Sequence, residues 1–140
     1  MNFDLERLVT AQNDQYHRPL GEIRRGRKQS HRMWYIFPQI AGLGPSAMAQ
    51  RYAIGSLSEA RAYLAHAVLG PRIRECVSAL QDLQTPDAVG VFCSVDAMQL
   101  RSSLTLFALA APEESLFSSA LERWFKGARD QRTLDLVGQG

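Results

Sequence analysis

A cluster of basic and aromatic residues in the N-terminal third of the chain has the chemistry to bind a phosphorylated ligand. Segment 26–39 carries a cationic turn followed by a dense aromatic patch. Lys28, His31 and Arg32 come at the predicted start of a helix, where positive charge opposes the helix dipole. A bound anion would compensate, because the free backbone N–H groups, the Ser30 hydroxyl and the cations together form a phosphate or carboxylate site.

The aromatic residues of this segment extend the predicted site. His31, Trp34 and Tyr35 share one side of the predicted helix at i, i+3 and i+4. A titratable ring and two aromatic rings thus lie beside Arg27 and Lys28, which suits a ligand with both a phosphate and a flat ring. A solvated turn whose cations pair with acidic residues elsewhere explains the same pattern, and the residues alone favour neither interpretation.

A second polar group interrupts the apolar face of a predicted long helix. Asp96 and Ser103 lie on one stripe of that helix, with Gln99 at its edge. Burying an unpaired carboxylate is costly, so Asp96 is either a first-turn carboxylate in partial solvent or the partner of a cation, Arg27 or Lys28. No neighbouring sequence supplies an activating base, so Ser102 and Ser103 are small packing residues or hydroxyls bonded back to the preceding turn more often than nucleophiles.

The charge of the chain is concentrated in one place. The 140 residues carry a net charge of +2, yet residues 17–32 include six basic residues and one acidic residue, and the remainder is net negative at −3. Such a cluster indicates a local partner surface. Arg24 and Arg25 need no ligand, because they lie in the last turn of a predicted helix, where cations gain about 0.3–1 kcal/mol from the dipole.

The elements that must position these residues are predicted to be helices. Nearly every segment has helical period, which predicts an all-α, compact single-domain bundle of about seven to nine short helices over residues 1–140. Ser56 and Glu59 form a capping box, Gly70 marks a helix boundary, and Ser94 begins a long helix. Only residues 89–93 are a plausible short strand.

Several classes of protein are excluded or disfavoured by composition. No stretch approaches the ~20 apolar residues of a membrane span, and the N-terminus lacks an export signal. Cys76 and Cys93 are isolated, as reduced thiols in the cytoplasm usually are, so we expect a cytoplasmic protein. Three scattered histidines and these cysteines have no metal-ligand spacing, and we expect neither a metal nor a cofactor.

The chain resembles a known family through six blocks of sequence. They are Gly26-Arg-Lys-Gln-Ser-His31, Met33-Trp-Tyr-Ile-Phe-Pro-Gln39, Met48-Ala-Gln-Arg-Tyr52, Glu59-Ala-Arg-Ala-Tyr-Leu64, Leu69-Gly-Pro-Arg-Ile-Arg-Glu-Cys76 and Ser102-Ser-Leu-Thr-Leu-Phe107. They are similar to a bacterial family of helical proteins, the domain of unknown function eighteen-ten, often mislabelled calpastatin. The resemblance implies an all-α single domain and no established activity. The family often has an aromatic residue at position 32 and a lysine at position 99.

A more distant resemblance is to N-glycosidase or ADP-ribose-processing domains of the NADAR type, which also carry a Gly-Arg near a tryptophan and an acidic residue on a later helix. It implies that Arg27 and Lys28 bind phosphate and that Trp34 or Tyr35 stacks on a ring. Asp96 would then stabilise a developing ribosyl cation or orient water, since an oxocarbenium-like transition state calls for a carboxylate.

We therefore predict a protein that binds a small molecule, either a nucleotide, an ADP-ribose-like compound or a phosphorylated sugar. The distant resemblance extends this to an N-glycosidase-type hydrolase, and whether any reaction is catalysed stays open. The alternatives are a protein-interaction or structural module and a nucleic-acid binder, the latter disfavoured by a pI of about 8.7. The candidate catalytic residues are Asp96 and His31, and the candidate ligand-binding residues are Arg27, Lys28, Ser30, Trp34, Tyr35 and Ser103.

Overall fold

The computed structural model describes residues 5–13, 17–24, 36–43, 50, 52–84 and 86–139, without the side chains of 13, 17–19, 22, 89, 92–95 and 139. Within these ranges the regular structure is helical, and the one strand-like feature is an isolated parallel bridge between Ile40 and Ile54. The helices are α1 (Glu6–Asn13), α2 (His17–Arg24), α3 (Leu57–Ala65), α4 (Leu69–Gln81), α5 (Ala88–Ala110), α6 (Ser115–Phe125) and α7 (Gln131–Gln139). The predicted all-α fold is confirmed, whereas the predicted number of helices in the whole chain is not established by these ranges.

Helix α5 is one continuous element of 23 residues, which confirms a long helix here and corrects two predictions. The helix begins after Asp87, whose carboxylate accepts a hydrogen bond from the Gly90 N–H at 3.0 Å. Residues 89–93 are helical and not a strand, and Ser94 lies inside the helix instead of before it. Burial explains the difference, because α5 packs against α3, α6 and α7, and such contacts override the β-propensity of a short apolar run.

The predicted capping box opens α3. The Ser56 hydroxyl accepts a hydrogen bond from the Glu59 N–H at 3.1 Å, while Glu59 Oε1 accepts from the Gly55 N–H at 2.6 Å. Arg7 of α1 then joins the same cluster, with Nη1 3.3 Å from Glu59 Oε2 and Nη2 donating to the Ala53 carbonyl at 2.6 Å. The nearly buried carboxylate of Glu59 is thus satisfied on both oxygens, and it fastens the N-terminal helix to the start of α3.

The junction between α3 and α4 differs from the predicted boundary at Gly70. Helix α3 ends earlier, and Gly70 lies in the first turn of α4. The imidazole Nδ1 of His66 accepts hydrogen bonds from the N–H groups of Val68 and Leu69, at 3.1 and 3.3 Å, so it satisfies donors at the start of α4. A glycine is required at position 70 because a Cβ there would lie 2.2 Å from the Leu64 carbonyl oxygen.

Helix α6 packs on α4 and satisfies its C-terminal end. The Arg123 guanidinium donates to the Leu80 carbonyl at 3.1 Å and also to the Leu83 carbonyl. Beside it, Trp124 Nε1 donates to Gln81 Oε1 at 3.1 Å. A cation at the last carbonyls of a helix both fills orphan acceptors and complements the dipole.

The core is a chain of aromatic rings between α3, α5 and α6. The ring centroids of Tyr63 and Phe107 are 5.2 Å apart, and those of Phe107 and Phe117 are 5.8 Å apart. The Tyr63 hydroxyl is fully buried and accepts from Gln12 Nε2 at 3.3 Å. This burial raises the pKa of the Tyr63 hydroxyl above its usual value, so the residue stays neutral. In the described ranges, no helix is long and apolar enough to cross a membrane.

Candidate functional site

One buried face of α5 carries three polar side chains. Asp96 is 6% exposed, Gln99 2% and Ser103 0%. Their spacing of three and four residues places them on one side of the helix, next to one another. Such burial of polar groups is unusual and requires either partners or a role. We call Asp96, Gln99 and Ser103 the polar face of α5.

Asp96 is not in the first turn of its helix, as one of the two predicted alternatives required. Because α5 begins at Ala88, Asp96 is well inside the helix and nearly inaccessible to solvent. The interpretation as a first-turn carboxylate in partial solvent is therefore wrong. Asp96 takes part in a polar or electrostatic interaction, and its predicted pairing with Arg27 or Lys28 stays a prediction, since both residues lie outside the described ranges.

A hydrogen bond joins the polar face to the basic and aromatic segment. Gln99 Nε2 donates to the Phe37 carbonyl at 3.1 Å, and both groups are buried. Phe37 ends the stretch in which the phosphate-binding and stacking residues were predicted. The remaining predicted site residues lie outside the described residues; they are Arg27, Lys28, Ser30, His31, Trp34 and Tyr35.

Two atoms of the polar face have no hydrogen-bond partner among the described residues. Gln99 Oε1 and Ser103 Oγ are buried and, within the described part of the chain, unpaired. A buried polar atom without a partner costs about 1–3 kcal/mol. Neighbouring positions of the same helix show the ordinary solution: the Ser102 hydroxyl lies 3.0 Å from both the Met98 carbonyl and Asp130 Oδ2. Ser103 is therefore an exception that a ligand would explain.

The part of α5 next to the polar face, at Ser102 and Thr105, holds the C-terminal helix. Asp130 Oδ2 accepts from the Thr133 N–H at 3.1 Å and from the Thr133 hydroxyl at 2.5 Å, in addition to its contact with Ser102. The Asp130 N–H in turn donates to Thr105 Oγ1 at 3.0 Å. These contacts start α7 and hold it on α5. Ser102 and Thr105 thus serve the fold, while Ser103, one residue after Ser102, points about 100° away from it around the helix.

The predicted position of Arg24 at the end of a helix is confirmed. The residue lies in the last turn of α2, and its guanidinium is 3.5 Å from the Glu75 carboxylate of α4. Both side chains are largely exposed, so the pair adds little stability. Arg25 lies outside the described residues. Among the residues described, no three His, Cys, Asp or Glu side chains are grouped closely enough to hold a metal ion.

A concave region of about 460 Å³ lies where the C-terminal ends of α3 and α5 meet. Arg74 places Nε 3.0 and 3.1 Å from the two carboxylate oxygens of Glu114, and its Nη1 donates to the Leu64 carbonyl at 3.0 Å. Arg61 Nε donates to the Ala110 carbonyl at 3.2 Å. Each arginine donates to a carbonyl near the C-terminal end of a helix, so the arginines that line this region have structural partners.

Comparison with known proteins agrees with the resemblance of the sequence blocks. A family model described as "Protein of unknown function (DUF1810)" matches residues 2–137. The chain belongs to this family. A similar solved structure is that of the conserved hypothetical protein Rv1873 from Mycobacterium tuberculosis, with a TM-score of 0.94 and 43% sequence identity over 97% of each chain. No curated protein matches the chain. The structural match agrees with the all-α fold, and the description of DUF1810 names no activity.

Sequence reasoning missed Gln99 as a site residue and placed it at the edge of the stripe. The signal was present, because Gln99 is a neutral amide on the apolar side of a helix, three residues after Asp96 and four before Ser103. An isolated amide at such a position must find buried partners. The residue that supplies one, the Phe37 carbonyl, is a backbone group and leaves no trace in the side-chain pattern.

Proposed function

We propose that the chain binds a small molecule with a phosphate group, either a nucleotide, an ADP-ribose-like compound or a phosphorylated sugar. One observation carries the proposal: Gln99 Oε1 and Ser103 Oγ are buried without partners in the described structure, beside Asp96 and against the end of the basic and aromatic segment. Two such atoms on one helix face are costly unless a bound group satisfies them.

The proposed site divides its tasks between the segment and the helix. Arg27, Lys28 and Ser30 bind the phosphate, for which cations and a helix start are suited. Trp34 and Tyr35 stack on the flat ring. The polar face of α5 binds the part of the ligand between them, and the bond from Gln99 to the Phe37 carbonyl holds the end of the segment against α5.

The proposal includes hydrolysis of an N-glycosidic bond. Water is split across the bond: its hydroxyl joins the anomeric carbon, and its proton goes to the departing nitrogen of a nucleotide base or, for NAD, whose nicotinamide leaves as a neutral base, to solvent. Asp96 stabilises the positive charge that develops on the ribosyl ring, and His31 transfers the proton. The buried position of Asp96 supports its role, because a carboxylate acts most strongly on a cation where water is excluded.

Ligand binding is tested by thermal shift with NAD, ADP-ribose, mononucleotides and sugar phosphates. A compound at 100 times its dissociation constant stabilises the folded state by roughly 2.7 kcal/mol. Lys28→Ala should abolish the shift, whereas Arg129→Ala, which removes the same charge from an exposed position, should leave it unchanged. An unchanged melting temperature with every phosphate compound would contradict the proposal.

Catalysis is tested separately with the compounds that bind. Release of the free base from NAD or a nucleoside phosphate is followed by chromatography. Asp96→Asn should bind the ligand and lose turnover, because the amide keeps the shape of the carboxylate and removes its charge. If the wild-type protein binds these compounds without releasing a base, the proposed hydrolysis is wrong and only the proposed binding is supported.

A second candidate is a protein-interaction or structural module in which the charges merely pair. The ion pair between Arg24 and Glu75 favours it for that position. This candidate predicts no thermal shift with any phosphate compound, and the nucleic-acid alternative predicts a gel shift at low salt that is lost as salt rises.

We retain as proposals the single domain over residues 1–140, the seven to nine helices and the cytoplasmic location. The buried core shared by α1 through α6 supports the single domain.

A further inference from the structure

We propose that Gln99 and Ser103 recognise a hydroxyl group of the ligand's sugar, so that the polar face of α5 binds the sugar and not the phosphate. This inference rests on the proposed function and goes further by assigning a part of the ligand to these two residues. It follows from the donors and acceptors that the buried face offers.

The orientation of the Gln99 amide determines what it can bind. Because Nε2 donates to the Phe37 carbonyl, the amide nitrogen is assigned to that side and Oε1 is the atom left without a partner in the described residues. An amide oxygen only accepts hydrogen bonds. The group that meets Oε1 must therefore be a donor, which a fully ionised phosphate is not.

The Ser103 hydroxyl further restricts which chemical group of the ligand can bind here. It is fully buried, lies one helical turn after Gln99, and can both donate and accept. Side chains four residues apart on a helix have Cβ atoms about 5–6 Å apart, so one oxygen atom can lie between them. A ligand hydroxyl can donate to Gln99 Oε1 and accept from Ser103 Oγ, and it satisfies both unpaired atoms at once.

The polar face offers little to an anion. Asp96 lies three residues before Gln99 and is buried on the same side of α5, so two of the three side chains on this face end in acceptor oxygens. A fully ionised phosphate also offers only acceptors, so it would leave Gln99 Oε1 unpaired. The phosphate of the ligand must then contact another part of the protein, and the predicted cations of segment 26–32 are of the required sign.

The inference is tested by isothermal titration of the full chain with two matched probes and inorganic phosphate. Ribose 5-phosphate and tetrahydrofurfuryl phosphate have the same ring and phosphate, and the second lacks the ring hydroxyls. Ribose 5-phosphate satisfies Gln99 Oε1 and Ser103 Oγ on binding, whereas tetrahydrofurfuryl phosphate leaves them unpaired as they are in the free protein. Tetrahydrofurfuryl phosphate should therefore bind at least about 10-fold more weakly than ribose 5-phosphate. The affinity for inorganic phosphate should be the same in the wild-type protein and in variants of Gln99 or Ser103.

Variants assign the discrimination to the two residues. Ser103→Ala should weaken ribose 5-phosphate about 10-fold and leave tetrahydrofurfuryl phosphate unchanged, which removes the preference. Gln99→Met should do the same and provides a second, independent variant. Ser102→Ala is the matched control, because that hydroxyl already has partners in the Met98 carbonyl and the Asp130 carboxylate, so its removal should not alter the ratio of the two affinities.

The outcomes separate this inference from the proposed function. Equal binding of the two ring compounds, or an unchanged ratio in Ser103→Ala and Gln99→Met, overturns the inference and means that an ordered water holds the two atoms. The inference is also overturned if neither ring compound binds while a nucleotide or NAD shifts the melting temperature. If no phosphate compound binds at all, the proposed function fails and the inference fails with it.

Discussion

Replacing Ser103 by alanine should stabilise the unliganded protein. The variant removes a buried hydroxyl that has no partner in the described structure, which recovers part of a desolvation cost of about 1–3 kcal/mol. Alanine is also the better helix former, by about 0.5 kcal/mol inside a helix such as α5. The void left by one oxygen atom offsets some of this gain. We expect the free energy of unfolding to rise by about 1–2 kcal/mol.

The neighbouring serine provides the matched comparison. Ser102 has the same type and the same helix, but its hydroxyl contacts the Asp130 carboxylate, and a hydrogen bond to a charged group contributes about 1.5–3 kcal/mol. After the same gain in helix propensity, Ser102→Ala should lower the unfolding free energy by about 1–2 kcal/mol. Two adjacent and chemically identical substitutions should thus change stability in opposite directions.

Urea unfolding followed by circular dichroism measures both effects. The midpoint concentrations should move apart while the dependence on urea stays constant, since neither variant changes the surface exposed on unfolding. For a chain of this length, the melting temperatures should shift by about 3–5 °C per kcal/mol. If Ser103→Ala is destabilised by more than about 1 kcal/mol, its hydroxyl has a partner in the unliganded protein and the reasoning behind the proposed site is refuted.

Three further predictions concern the fold. Gly70→Ala should destabilise the chain by about 1–3 kcal/mol in spite of better helix propensity, because the new Cβ meets the Leu64 carbonyl oxygen; urea midpoints test it, and an unchanged midpoint would contradict it. Arg123→Ala should cost about 1–3 kcal/mol, since it exposes carbonyls at the end of α4, whereas the exposed Arg132→Ala should stay within about 0.5 kcal/mol; equal effects would show that the bonds contribute nothing. Because the pKa of Tyr63 is raised in the folded state, the folded protein holds this proton while the unfolded chain loses it above about pH 10, so stability should fall as pH rises beyond that value, by up to about 1.36 kcal/mol per pH unit. Tyr63→Phe should unfold in urea with a shallower dependence on alkaline pH, and identical slopes would argue against it.

Local signals predicted those elements whose ends are set by neighbouring residues. The pair of Ser56 and Glu59 predicts the start of α3 because the two hydrogen bonds involve residues within four positions of each other. The apolar period predicts the all-α class for the same reason, since it reports which side of each helix is buried. Both predictions depend on short-range geometry, and both hold in the structure.

Long-range contacts account for what the sequence did not predict. Ser94 is a residue type that often caps a helix, yet it lies inside α5. The helix is capped earlier, by Asp87, and it packs against three other helices. That longer helix moves Asp96 from an exposed first turn into a buried position. The role of Gln99 depends on a backbone carbonyl 62 positions away in sequence. No local pattern contains such information.

The attachment of α7 through Asp130 has a consequence for motion in the native state. Two side chains of α5 and the first turn of α7 meet at this aspartate. These hydrogen bonds are lost together with the core packing of Leu136 and Val137 when α7 detaches from α5. The amide hydrogens of α7 should then share one free energy of opening, lower than that of the amides in the middle of α5, which native-state hydrogen exchange measures. The C-terminal helix can in this way open locally while the rest of the core stays folded.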